Sequence, residues 1–103
     1  RTDLQVILSN FRKVFKITPA KIKTLKADDE NIKLIVWISL KYTSIATDTL
    51  IAELNINKND IDVILKCDST IFSKKVDDFF EPLKDDYLAN EKAVLIMQEY
   101  ILE

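Results

Sequence analysis

Apolar residues recur along the chain at intervals of three and four, the spacing of helices that face a common core. Residues 2–16 follow this spacing and predict a helix with Thr2 as its N-cap. Thr18 and Pro19 predict the start of a second, short helix, because threonine caps well and proline is tolerated in the first turn. The stretch 29–43 is apolar on nearly all sides, which is typical of a helix in the middle of a domain. Its β-branched residues also permit a buried strand, although no partner strand is evident.

The second half of the chain continues the pattern in shorter segments. Helices are predicted at about 48–54, capped by Thr47 or Asp48, and at about 58–71. No linker, low-complexity segment or internal repeat interrupts them. We therefore expect one compact all-α domain of five to six helices over residues 1–103.

Two further apolar stripes follow. The first, which Pro82 should disturb or restart as a helix, contains Val76, Phe79, Phe80 and Leu83. The second predicts a last helix over 91–102, capped by Asn90. The aromatic and apolar residues of this region belong either to the core or, alternatively, to a surface for a protein partner. The residues of that alternative surface are Phe79, Phe80, Tyr87, Met97 and Tyr100.

The composition argues against most enzyme classes. The chain has no glycine and no histidine, which excludes glycine-rich phosphate loops, Ser-His-Asp triads, Cys-His dyads and histidine-bearing zinc sites. Its acidic pairs lack the spacing of a calcium loop and are expected to form a solvated face. The expectation is a non-enzymatic protein with no catalytic residue, metal site or cofactor.

The number of cysteines and the length of the longest apolar run indicate the compartment in which the protein is expected. The single cysteine, Cys67, cannot form an internal disulfide, and we expect it to be a small buried residue. The longest apolar run, 35–38, is far shorter than the roughly 20 residues of a membrane span. No signal-peptide pattern opens the sequence. These features favour a reducing, cytoplasmic setting without a membrane partner, and Trp37 in that run is expected to lie in the core.

Charge is distributed unevenly along the chain. The net charge is −2, yet residues 1–50 carry nine Lys and Arg against five Asp and Glu, and residues 51–103 carry six against twelve. A basic N-terminal half permits an anionic partner. The alternative is a solvated mixture of surface charges.

The segment from Leu50 to Ile64 follows the pattern of a helix-turn-helix, which we place at about 47–66. Leu54 ends the first helix, and Asn55 takes the turn position, where a positive φ is common. Asn57 is a good cap for the second helix. An ordinary helical hairpin, whose apolar spacing serves packing only, is the alternative.

Three segments in order carry a resemblance to a known family. The first helix ends in Val-Phe-Lys-Ile at 14–17, the long apolar helix ends in Lys-Tyr-Thr at 41–43, and the motif at 47–66 follows. From about Leu4 to Leu88, the chain resembles the C-terminal DNA-binding domain of the bacterial replication initiator DnaA, a helix-turn-helix domain related to the Trp repressor. The resemblance implies a module that binds duplex DNA.

The residues that would contact bases differ from the family pattern. The family signature is Gly-Gly-Arg-Asp-His-Thr-Thr-Val, and Ile56 to Val63 is its counterpart here. Lys58 replaces arginine and loses its bidentate fork, and Asp62 replaces a threonine. The family's basic loop is shorter here, and after Lys26 it continues with the acidic run 28–30. The resemblance therefore implies altered or reduced sequence specificity.

The candidate DNA contacts combine cations near the first two helices with polar residues on the second helix of the motif. They are Lys16, Lys21, Lys23, Lys26, Lys58, Asn59, Asp62 and Lys66. The alternative function is a protein-interaction module on a degenerate DNA-binding scaffold.

Overall fold

Six α-helices and no strand make up the part of the chain that the computed structural model describes, residues 3–67, 70 and 72–86. The helices are α1 (Asp3–Phe15), α2 (Pro19–Ile22), α3 (Glu30–Tyr42), α4 (Thr47–Glu53), α5 (Lys58–Leu65) and α6 (Ser73–Asp86). The all-α prediction is confirmed, and the strand alternative for 29–43 is wrong. The predicted caps Thr2 and Asn90 and the predicted helix at 91–102 lie outside the described residues.

Side-chain caps explain where three of these helices begin. Thr18 Oγ1 accepts the Lys21 amide at 3.2 Å, and Pro19 occupies the first helical position. Asp29 Oδ1 accepts the Asn31 amide at 2.8 Å at the start of α3. These bonds satisfy backbone donors that have no partner inside the helix. The predicted start of α2 is confirmed; the third cap, at α5, belongs to the candidate site.

Helix α4 begins differently from the prediction. Ala46 is its N-cap and supplies no side-chain bond, so neither Thr47 nor Asp48 caps it. The entry to α4 is shaped upstream, where the Thr43 hydroxyl donates to the Ser39 carbonyl and accepts the Ile45 amide, the latter at 3.1 Å. Asp48 lies in the first turn, where a carboxylate suits the helix dipole.

Helix α3 occupies the centre of the domain, as its apolar pattern predicts. It packs against α1, α5 and α6, and its core residues Ile32, Leu34, Ile35, Val36 and Ile38 are fully buried. A helix that contacts neighbours on several sides buries most of its surface, so most of its positions are apolar.

Helix α6 continues through Pro82 instead of restarting there. Proline has no amide hydrogen, so the Asp78 carbonyl one turn earlier lacks its helical donor. At the next residue, the Phe79 carbonyl accepts a bond from the buried Asn10 side chain at 2.6 Å. Phe79 and Phe80 are both fully buried, so they belong to the core and the alternative of a partner surface is wrong for them. The other three residues of that alternative surface lie outside the described residues.

Helix α5 is shorter than the predicted 58–71. The amides of Lys66 and Cys67 bond to carbonyls three residues earlier, which tightens and ends the last turn. Beyond it, Phe72 is 1% exposed and stacks on Trp37 with ring centroids 5.5 Å apart. Cys67 consequently lies beyond the helix and is half-buried against the core, rather than fully buried.

No helix in the described segments is long and apolar enough to cross a membrane.

Candidate nucleic-acid interface

Helices α4 and α5 are joined by the four residues 54–57 and pack against each other. Their inward side is apolar and buried: Leu50, Leu54, Ile56, Ile61 and Ile64 are each at most 8% exposed. The predicted inward positions are therefore confirmed. Helix α5 also packs on α3, and residues of its opposite face are exposed.

The start of α5 is a reciprocal capping box. Asn57 Oδ1 accepts the Asp60 amide, and Asp60 Oδ2 accepts the Asn57 amide, both at 2.9 Å. The predicted cap at Asn57 is confirmed. Asp60 has a structural task in this arrangement and is half-buried, which reduces its value as a base contact.

The turn between the helices contains no left-handed residue. Lys16, with φ of 61°, is the one described residue with a positive φ, so the expectation for Asn55 is wrong. Leu54 leaves α4 with an extended backbone, φ −113° and ψ 160°. That extended step redirects the chain without the left-handed conformation that a glycine or asparagine usually supplies.

The outer face of α5 presents the predicted polar residues. Lys58, Asn59, Asp62 and Lys66 are all exposed. Val63 lies among them with 56% of its surface exposed. The face combines two lysines, a carboxylate, an amide and an apolar side chain, so its cations outnumber its carboxylates.

The basic residues near α1 and α2 are also exposed, and one of them connects this region to α4. Lys16, Lys21, Lys23 and Lys26 all project into solvent. Lys23 Nζ lies 3.8 Å from Glu53 Oε2, and about half of each side chain is exposed. Since Glu53 is the last residue of α4, this contact brings the lysines that follow α2 beside the α4–α5 turn.

The acidic run at 28–30 is partly engaged in contacts with other parts of the fold. Asp29 caps α3, and Glu30 Oε2 pairs with Lys75 Nζ of α6 at 3.0 Å. Asp28 is exposed and follows Lys26 by two positions. The carboxylates at 29 and 30 therefore help to hold α3 in place.

An open groove of about 490 Å³ lies between α3, α4 and α5. Its lining residues are Trp37, Leu40, Lys41, Thr47, Lys58, Ile61, Asp62 and Leu65. Trp37 is partly buried at this groove rather than enclosed in the core, with the Lys41 ammonium 5.0 Å from its ring centroid. The groove was not predicted from the sequence, although the four-residue spacing of Trp37 and Lys41 on one helix indicates that their side chains meet.

Among the described residues, no three His, Cys, Asp or Glu side chains are grouped so that they could hold a metal ion. Compared with known proteins, the chain matches no protein-family model, no curated protein and no solved structure. The DnaA-like interpretation therefore depends on the residue pattern.

Proposed function

We propose that this chain is a helix-turn-helix module that binds duplex DNA mainly through phosphate contacts, with altered or reduced sequence specificity. The Lys23–Glu53 contact carries the proposal, because it joins the basic residues after α2 to the end of α4. The family resemblance assigns the α4–α5 unit to the major groove. With that unit in the groove, the phosphate backbone would pass close to the cations beside it.

The composition of α5 supports weak base recognition. Lys58 and Asn59 are exposed in its first turn, but lysine lacks the planar fork with which arginine contacts guanine. Asp62 is exposed one turn later and repels phosphate. Binding that depends on phosphates alone is typically micromolar or weaker near physiological salt.

The backbone at Lys16 also supports a role for its charge. A left-handed conformation at a residue other than glycine costs roughly 1–2 kcal/mol, and Lys16 adopts it at the end of α1. Strained residues are concentrated at functional sites. Lys16 is exposed and precedes Thr18, the cap of α2, by two positions.

Fluorescence anisotropy with a labelled duplex of mixed sequence tests the proposal, starting at about 20 mM salt and titrating upward. We expect Lys21→Ala, Lys23→Ala and Lys58→Ala each to weaken binding on every sequence and to lower the salt slope by about one. Asp62→Asn should strengthen binding. Lys74→Ala, at an exposed position of α6, is the matched control for the loss of one charge and should leave the affinity nearly unchanged.

The absence of measurable binding at about 20 mM salt, with helical circular dichroism intact, would reject this function. The alternative would then be a protein-interaction module on the same scaffold. Equal weakening by Lys74→Ala and Lys23→Ala would also contradict the proposed interface, because binding would then depend on overall charge.

A further inference from the structure

The groove between α3, α4 and α5 is a feature that phosphate binding does not use. Leu40, Ile61 and Leu65 line it together with Trp37. Leu65 is 47% exposed. An exposed large apolar side chain beside other apolar residues of a groove marks a binding site more often than scattered exposure does.

The charged residues of the groove favour an acidic occupant. Lys41, near the end of α3, and Lys58, at the start of α5, stand on two different walls. Asp62 is the single carboxylate among the lining residues. Within the described part of the chain, Lys58 has no carboxylate within 4 Å, so a carboxylate of a partner could pair with its ammonium directly.

The size of the groove suits side chains presented by a helix. A volume of about 490 Å³ accommodates a few bulky side chains rather than a folded domain. Amphipathic helices insert such side chains at intervals of three and four residues. We propose that the groove binds an acidic amphipathic helix of another protein, with its apolar side chains between Trp37 and Leu65 and its carboxylates facing Lys41 and Lys58.

This surface goes beyond the proposed DNA interface and overlaps it at α5. Lys58 and Asp62 belong both to the groove and to the exposed face of α5. A helix seated in the groove would engage Lys58 and withdraw it from phosphate. The partner and duplex DNA should therefore compete.

The test uses two blocked helical peptides of about 15 residues. Both carry leucine on one face; one has glutamate on the flanking positions and the other has lysine. Neither contains an aromatic residue, so the emission of Trp37, the chain's single tryptophan, reports binding directly. We expect the glutamate peptide to change this emission and to bind about tenfold more tightly than the lysine peptide.

Variants locate the binding to the groove. Leu65→Ala should lower the affinity for the glutamate peptide about tenfold. Val63 is an exposed apolar residue of α5 that does not line the groove, so Val63→Ala should leave this affinity unchanged. Lys58→Glu should reverse the preference between the two peptides. Leu65→Ala changes no charge and should leave DNA affinity intact.

Equal binding of the two peptides, equal effects of Leu65→Ala and Val63→Ala, or no emission change with either peptide at about 1 mM would overturn the inference. The DNA measurements are independent of this result. Peptide binding without DNA binding would reject only the proposed DNA-binding function. DNA binding without peptide binding would reject only the proposed helix-binding role of the groove.

Discussion

Ser39 is a polar residue in an otherwise apolar part of α3. It is fully buried, and its hydroxyl has no hydrogen-bond partner among the described residues. Burying an unsatisfied hydroxyl costs about 1–3 kcal/mol. The core around Ser39 therefore contains a hydroxyl group whose hydrogen-bonding capacity is not satisfied.

Replacing Ser39 with alanine should consequently raise the free energy of unfolding by about 1 kcal/mol. Chemical denaturation monitored by circular dichroism measures the change. Ser44→Ala, at an exposed loop position, should have no effect. A destabilised Ser39→Ala protein would show that the hydroxyl has a partner.

Lys16 allows backbone strain and charge to be separated. Lys16→Gly relieves the positive φ and should stabilise the fold by about 1 kcal/mol, while Lys16→Ala removes the same charge and retains the strain. Both variants should lose the same amount of DNA affinity. Thermal melts and anisotropy distinguish the two effects, and identical melting of the glycine and alanine variants would contradict the strained conformation.

At the scale of the element, α5 has sharply different faces. Ile61 is 2% exposed, and its neighbour Asp62 is exposed. Ile61→Asp would bury an unpaired charge and should destabilise the protein by about 3 kcal/mol or more. Asp62→Ala should change stability little. If urea melts gave the two variants the same midpoint, the orientation of α5 would be wrong.

The starts and faces of several elements could be predicted from the sequence, because they depend on local chemistry. Thr18 and Asn57 cap their helices through bonds within three residues. The inward side of α5 follows from the spacing of Ile61 and Ile64. Such features need no knowledge of distant residues.

The features that the sequence predicted wrongly depend on contacts between distant residues, or on a choice between two backbone conformations that produce the same turn. α6 passes Pro82 while its Phe79 carbonyl is bonded by a side chain of α1. The exposure of Trp37 depends on where Phe72 stacks. A left-handed turn was expected at Asn55, whereas the extended backbone of Leu54 redirects the chain instead.

At the scale of the whole molecule, the bond from Asn10 to the Phe79 carbonyl joins the first and last described helices. Asn10 is 5% exposed, so its replacement by alanine loses a buried bond and leaves a small void. We expect a destabilisation of about 1–3 kcal/mol, measured by urea denaturation. Asn59→Ala, at an exposed position of α5, is the matched control; equal midpoints for the two variants would contradict the contact.

The packing of α1 on α6 also has a consequence during protein synthesis. Asn10 and Phe79 are 69 residues apart, and a ribosome adds roughly 5–20 residues per second. The apolar face of α1 therefore waits about 3–14 seconds for the helix that covers it. During that interval the nascent chain has only partial cover for its first helix, so this domain completes its fold late in translation and offers chaperones a defined segment to hold.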